Sequence, residues 1–444
     1  MAIEKFTIED LITRIFIAIL ALFMFFIALR MFTKEILIDL FQMDNRFTQI
    51  IFSDLHNPDK QLSIKPNSDE QPDSNPAVTN KLLAIVIQTT KKYTDKLAFI
   101  KQKINLYSSD NIFFRHRMVE LANLHNKISN WELSPYNEYN RIISVDGDYL
   151  NSVQPHFDVK PTLEGFAALK TFLDENEIPF LYVQVPDKLC KYEESDQSVD
   201  GVITFSNATI DDFVAGFRAM DVDVLELREE LHKAELNHHN LFFKTDHHWK
   251  LETGMWVAGL IANRLNEKYQ FDISEIFFQP ENYQFTVYKD AFLGSQGKKI
   301  SLSRAKPEDF TLIHPNFPTD ITLDIPLIDL NQTGDFDIVY DKSRLGNKNY
   351  YKDNLWAVYF YGDKPITTII NNTNHEGKRI LMIGDSLDNA IIPFLALGVE
   401  QIDSIDLRHY NDSLHELIAN GDYDIVICVH YISYVTGLYE LLSK

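Results

Sequence analysis

From about residue 141 onward, short apolar runs of β-forming residues alternate with stretches of helical periodicity. Residues 180–185 (FLYVQV) follow a helical stretch at 162–176, and 222–227 follow one near 211–220. Three more runs, at 379–383, 402–407 and 424–429, are separated by helical patterns at 390–397 and 413–420. A strand that is apolar throughout needs cover on both faces, and the helices between the runs supply it. The pattern therefore predicts an α/β domain over residues 140–444, with a parallel sheet flanked by helices. Between 281 and 374 the rhythm changes to strict alternation (YQFTVYKD, DITLDIP), the period of antiparallel strands, which predicts a β-rich insertion within that domain.

The amino-terminal part reads differently. Residues 15–29 (IFIAILALFMFFIAL) are unbroken apolar sequence fenced by Arg14 and Arg30. Extended to residues 11–32, the run is long enough at about 1.5 Å per residue to cross a hydrocarbon core of ~30 Å. The two arginines can then snorkel to the interfaces. No small-residue cleavage site follows, so residues 1–36 predict an uncleaved transmembrane signal-anchor helix. The flanking basic residues do not set its orientation. Residues 57–80 are rich in Pro, Asn, Ser and Asp and read as a linker. Residues 81–130 carry a helical pattern, so 37–139 as a whole predict a linker and helical neck.

Charge narrows the partners. Lys+Arg is 42 against 64 Asp+Glu, a net charge of −22. A surface that acidic repels phosphate and argues against nucleic-acid binding. The two cysteines, Cys190 and Cys428, cannot build a zinc-finger framework and read as buried thiols.

Two motifs carry chemistry. The first is Thr245-Asp246-His247-His248-Trp249, in a loop just before a helix whose apolar face runs Leu251, Met255, Ala258, Ile261, Ala262 and Leu265. On extended backbone, Asp246 and His248 project to one side and His247 to the other. A carboxylate beside an imidazole is the orienting pair of a catalytic triad; alone, it is equally a hydrogen-bonded surface loop. The second is Ile383-Gly384-Asp385-Ser386-Leu387, between a strand (RILMI) and a helix (NAIIPFLAL). A serine at that turn lies at the carboxyl edge of a parallel sheet, where α/β sites gather. Alone, it is equally a helix N-cap. Together, Ser386, His248 and Asp246 supply nucleophile, base and orienting acid. A glycine-bearing loop, Phe292-Leu293-Gly294-Ser295-Gln296-Gly297, can add a backbone N–H for an oxyanion or be a plain turn.

GDSL at 384–387 resembles the nucleophile block of the SGNH/GDSL hydrolases. The Asp-x-His block ahead of the serine block resembles the alginate O-acetylation SGNH-like proteins, and the tetrad DHHW at 246–249 resembles the bacterial DHHW protein family. FLYVQVPDK at 180–188, FLGSQGKK at 292–299, GDSLDNAIIPFL at 384–395 and DLRHY at 406–410 support the resemblance, which runs over about 140–444. It implies an SGNH-hydrolase-like (flavodoxin-like) fold and a serine-dependent O-acetyltransferase or acetylesterase acting on cell-surface or exported polysaccharide. By the same resemblance Ser386 is the nucleophile, His248 the base and Asp246 the acid, while Gly294 and Asn389 are the expected oxyanion donors. No cofactor and no metal are implied. The implied partners are a cell-surface glycan and a membrane-bound O-acyltransferase. The implied location is the cell membrane, single-pass, with the catalytic domain extracytoplasmic.

Two rival readings stand beside this one. A metal-dependent phosphoesterase would use the density of His238, His239, Asp246, His247 and His248, but the aspartate motifs and glycine-rich block of such enzymes are absent. A catalytically silent SGNH-like protein would bind glycan or a partner without turnover. Arg408 and Lys188 can neutralise an acidic glycan or serve as structural ion-pair members, and Trp249 reads as packing.

Overall fold

The computed structural model describes residues 142–145, 148–188, 197–199, 202–236, 238–346, 349–375, 377–431 and 442. The expected membrane segment, linker and neck lie outside the described residues, as does Cys190. Among the described residues no helix is long and apolar enough to cross a membrane.

Among the described residues the strands are β1 (Ile142–Val145), β2 (Tyr149–Ser152), β3 (Phe180–Gln184), β4 (Gln197–Val199), β5 (Val202–Thr204), β6 (Asp223–Glu226), β7 (Tyr283–Phe292), β8 (Glu308–Pro315), β9 (Ile321–Ile325), β10 (Leu330–Gly334), β11 (Ile366–Asn371), β12 (Arg379–Gly384), β13 (Gln401–Asp406) and β14 (Ile425–His430). The α-helices are α1 (Lys160–Glu175), α2 (Ser206–Ala219), α3 (Leu227–Lys233), α4 (Leu251–Tyr269), α5 (Ser295–Ile300), α6 (Ile392–Leu395) and α7 (Leu414–Gly421). Eight strands make one sheet in the order β10-β9-β11-β13-β12-β14-β3-β6.

The sheet is mixed rather than purely parallel. β13, β12, β14, β3 and β6 run parallel, while β11 joins β13 antiparallel and β9 and β10 continue as an antiparallel meander. The alternating stretch 281–374 thus contributes three strands to the central sheet, and its β7–β8 ribbon stands as a separate pair. Burial explains the two sequence rhythms. β3 and β14 are buried at every residue, as strands covered on both faces must be. In β9, Ile321, Leu323 and Ile325 are buried while Thr322 and Asp324 are partly exposed, so that strand has one covered face.

The helices follow from the crossovers. β12 to β13 and β13 to β14 cross the sheet in opposite directions, so right-handed connections put α6 and α7 on opposite faces. The connection from β3 to β6 runs the same way as β13 to β14, which places α2 on the α7 face. α1 joins them there: Phe172 of α1 stacks on His415 of α7 at 4.0 Å, and Phe217 of α2 stacks on Tyr182 of β3 at 3.8 Å. Pro161 sits in the first turn of α1, where its missing N–H costs nothing, and Phe166, Leu169 and Leu173 form the buried stripe. α4 packs beside α6. It buries Leu251, Met255, Ala258, Ala262 and Leu265 and stops at Gln270 in a left-handed conformation.

Three neighbouring parallel strands, β3, β14 and β12, end on the same edge of the sheet. They deliver Asp187–Lys188, Tyr431 and Asp385–Ser386 respectively. β12 lies where successive connections depart in opposite directions, the switch point at which open α/β sheets bind ligands.

Candidate active site

Gly384 ends β12, and the chain turns sharply into Ser386. The glycine is required by a close approach: a Cβ there would meet Asp388 Oδ2 at 1.9 Å. Asp385 ties the turn down. Its Oδ1 accepts the Leu387 N–H at 3.0 Å, and its Oδ2 accepts the Tyr431 N–H, at the end of β14, at 2.6 Å. Burial pushes the Asp385 carboxyl up to about 6, against the lowering effect of those two N–H groups and of Arg408. The Asp388 N–H goes to Asp385 O at 3.1 Å. That leaves the Ser386 amide as the N–H of Ser386, Leu387 and Asp388 without a protein acceptor among the described residues. Ser386 caps no helix; its Oγ lies 2.7 Å from His248 Nε2.

The Asp-His loop runs from β-bridge residue Phe242 to the start of α4. Asp246 and His248 meet as their spacing predicts, but through a tight turn rather than an extended segment. Asp246 Oδ1 accepts both the His248 backbone N–H at 3.0 Å and the ring Nδ1 at 2.5 Å. The second oxygen, Oδ2, accepts the Ser295 N–H at the start of α5. Burial alone would raise the Asp246 carboxyl. The neighbouring His248 and His247 rings and the bonds from His248 and Ser295 overcome it and hold the group well below the usual range. An ionised carboxylate only accepts, so Nδ1 carries the hydrogen and Nε2 presents its lone pair to Ser386 Oγ.

The imidazole of His248 is held between two rings. Trp356 stacks on it at 4.1 Å with a 15° interplanar angle, and the His247 ring lies 3.9 Å from it. Trp356 Nε1 also donates to Ser386 O at 3.0 Å, so one side chain touches both base and nucleophile. Trp249 is buried and donates to Leu387 O at 3.1 Å, in keeping with a packing role. His247 lies beside Ser295 Oγ at 3.3 Å, and burial, with the charge of His248 next, pushes its imidazole down to about 3. At neutral pH it is therefore an uncharged ring.

The two residues expected at the oxyanion have donors engaged elsewhere. Gly294 donates its N–H to Thr245 Oγ1 at 2.9 Å. It is glycine because a Cβ would stand 2.3 Å from Asp246 Cβ. It therefore backs the acid rather than facing the nucleophile. Asn389 is buried, and its Nδ2 donates to Asp363 Oδ1 at 3.0 Å. Arg408 binds Asp406 through Nη2 at 2.5 Å and Asp363 at 2.9 Å, a structural ion-pair member. Lys188 is 1% exposed and cannot reach a glycan.

Asp246, His247 and His248 lie close enough to share a metal ion. Both nitrogens of His248 are already engaged, Nδ1 by Asp246 and the Nε2 lone pair by Ser386, so an ion there would have to displace one of those bonds. Asp363, Asp406 and His409 form the other such group among the described residues, and there the Arg408 guanidinium bridges the two carboxylates. Chemically, the arrangement can serve as a nucleophile with a base and an orienting acid. Trp356 and Tyr431 escaped the sequence reading, because each reaches the site through a contact far along the chain; the glycine-bearing loop was singled out, but its Ser295 N–H serves Asp246.

The family model described as "SGNH hydrolase-like domain, acetyltransferase AlgX" matches residues 149–286, and the one described as "DHHW protein" matches 227–405. No curated protein matches the chain in sequence. Among solved structures, PatB1 of Bacillus cereus is 22% identical, with a TM-score of 0.56 over 68% of this chain and 99% of its own. PatB1 with a sulfonyl adduct gives 21%, 0.56, 68% and 98%. A DHHW family protein from Eubacterium siraeum is 16% identical, with a TM-score of 0.51 over 70% of this chain and 97% of its own. The expected resemblance to SGNH-like acetyltransferase and DHHW families is thus met, and the α/β fold is SGNH-like.

Proposed function

We propose that this chain is a serine-dependent O-acyltransferase or esterase, acetyl being the group moved, that acts on cell-surface or exported polysaccharide. We further propose that residues 11–32 anchor it in the cell membrane with the α/β domain extracytoplasmic, where a membrane-bound O-acyltransferase can supply the acyl group. The observation that carries the chemistry is the unbroken line Asp246–His248–Ser386, at 2.5 Å and 2.7 Å.

The steps follow from the hydrogen positions. His248 Nε2 takes the Ser386 proton as Oγ attacks the acyl carbonyl. The Asp246 carboxylate stabilises the imidazolium so formed. The free Ser386 N–H is the donor best placed for the oxyanion. The imidazolium then protonates the leaving oxygen, which gives the acyl-serine. A sugar hydroxyl, deprotonated in turn by His248, attacks that ester and restores the serine. Ser386 is 5% exposed and His248 7%. So little exposure keeps bulk water from the acyl-serine and supports transfer over hydrolysis.

The test is acetate release from p-nitrophenyl acetate and from an acetylated oligosaccharide by the full chain, with Ser386→Ala and His248→Ala, and a sulfonyl fluoride to mark the nucleophile by mass. Loss of turnover in both variants, with the adduct on Ser386, is the expected result. Turnover that survives Ser386→Ala overturns the serine mechanism. Silence towards both esters together with no adduct would return the chain to the binding class.

A further inference from the structure

The mechanism above makes no use of Lys188, although a fully buried lysine is rare. Its ammonium donates to Leu150 O at 2.7 Å, to Asp246 O, and to Gln296 Oε1 at 3.3 Å. All three N–H donors are thus accounted for by uncharged oxygens, one each from β2, the Asp-His loop and α5. The surrounding bonds close a ring. Gln296 Nε2 donates to Asn151 Oδ1 at 3.2 Å, and Asn151 Nδ2 donates to Asp187 Oδ1 at 2.8 Å, beside Lys188 itself. Asp187 Oδ2 accepts from Tyr431 OH at 2.5 Å, and the Tyr431 amide holds Asp385 beside the nucleophile. The cage around the lysine therefore touches both halves of the triad.

We propose that Lys188 is a positioning residue: its ammonium pins the main chain of Asp246, and the triad keeps its geometry only while that ammonium is charged. The pinned carbonyl belongs to the residue whose carboxylate orients His248, so slack there passes directly to the base. A neutral amine has two N–H groups for three acceptors, so one carbonyl would face a lone pair. Burial draws the Lys188 ammonium down to about 8, while Asp246, Glu308 and Asp187 work to raise it. His247, the other titratable ring against it, is neutral throughout this range. The anchor therefore loosens on the basic side of neutrality. The kinetic consequence rests on the serine mechanism proposed above; the geometric one does not.

The experiment uses the full chain, wild type and Lys188→Met, with two readouts. The first is the low-field proton resonance of His248 Nδ1–H, assigned by its absence in His248→Ala. In folded Lys188→Met it moves upfield. In wild type it moves upfield as pH rises through about 8, an arm that does not depend on the variant folding. The second is the pH profile of p-nitrophenyl acetate turnover. kcat falls about 10²-fold in Lys188→Met with KM little changed, and the wild-type decline on the basic side is missing from the variant. A resonance unmoved both in folded Lys188→Met and in wild type across that pH range overturns the proposal. If no form turns over ester, the serine mechanism fails while the resonance still decides the role of Lys188.

Discussion

Asp246→Asn changes one oxygen to an amide nitrogen at almost constant volume, yet the site has no orientation that suits it. The native carboxylate accepts three hydrogens: two at Oδ1, from the ring and backbone of His248, and one at Oδ2, from Ser295. Asparagine accepts through one oxygen only. With that oxygen towards His248, the amide hydrogens meet the Ser295 N–H. With it towards Ser295, they meet the His248 N–H and force Nδ1 to accept. The proton then moves to Nε2, which points at Ser386, and the base is lost. Each orientation leaves one buried donor unmatched, at about 1–3 kcal/mol, so neither dominates. The first keeps the tautomer but loses a charge-assisted bond to the imidazolium, worth about 1.5–3 kcal/mol, or ~10- to 10²-fold in rate. The second costs about 10⁴ in kcat, as in other serine triads. Because neither orientation dominates, the tautomer-keeping one sets the observed rate, and the expected loss is about 10- to a few times 10²-fold in kcat with little change in KM. The assay is pre-steady-state release of p-nitrophenol, which separates acylation from turnover, with circular dichroism to verify folding. A folded Asp246→Asn protein within tenfold of wild type would refute the assignment of Asp246 as the orienting acid.

Three further outcomes follow from the same contacts. Gly294→Ala puts a methyl group 2.3 Å from Asp246 Cβ and 2.4 Å from Thr245 O. It should cost about 1–3 kcal/mol by urea unfolding and lower kcat by displacing the acid; wild-type kcat would mean the loop yields without moving Asp246. Trp356→Phe keeps a ring over His248 and loses only the bond to Ser386 O, so kcat should fall less than in Trp356→Ala, and equal losses would show that the stacking contributes nothing. Asp388 is buried, and its Oδ2 has no partner among the described residues. Burial, then Asp385, Asp406 and Asp363, push its carboxyl well above the usual range, with Arg408 opposing. The folded state therefore holds a proton that the unfolded chain loses near pH ~3.9, and stability falls as pH rises from there towards the folded value. Asp388→Asn should flatten the plot of Tm against pH and melt above wild type at neutral pH; a lower Tm at every pH would contradict this.

That Asp246, His248 and Ser386 meet was legible in the sequence because each sits in a short motif whose neighbours dictate its setting: a strand and helix around Ser386, a helix start after Asp246 and His248. Their supports were not. The amide of Gly294 looks available in a glycine-bearing loop until Thr245 Oγ1 takes it. Lys188 reads from the sequence as a cation facing an acidic glycan or as an ion-pair member, and only folding shows it walled in by β2, the Asp-His loop and α5. Trp356 has no local signal at all; its two partners are 108 and 30 residues away. The alternation in β9 and β11 announced antiparallel strands with one covered face. That they extend the central sheet depends on pairing with β13, far along the chain, and pairing of that kind leaves no mark on either strand alone.

The strand order also bears on how the protein is made. Among the described residues β14 is the last strand in the sequence, yet it lies between β12 and β3 within the eight-stranded sheet. On the ribosome, β3 and β6 emerge early and β12 and β13 late, and neither group can join the other until the strand between them is complete. Assembly is then a final docking event of high contact order, slow by the physics of long loop closure, and it leaves unpaired inner strand edges in need of protection meanwhile. The same timing leaves the Ser386 turn unset until β14 is in place. Ser386 gains its fixed turn when Tyr431, directly after β14, binds Asp385, so a nascent chain should not be acylated before β14 is in place.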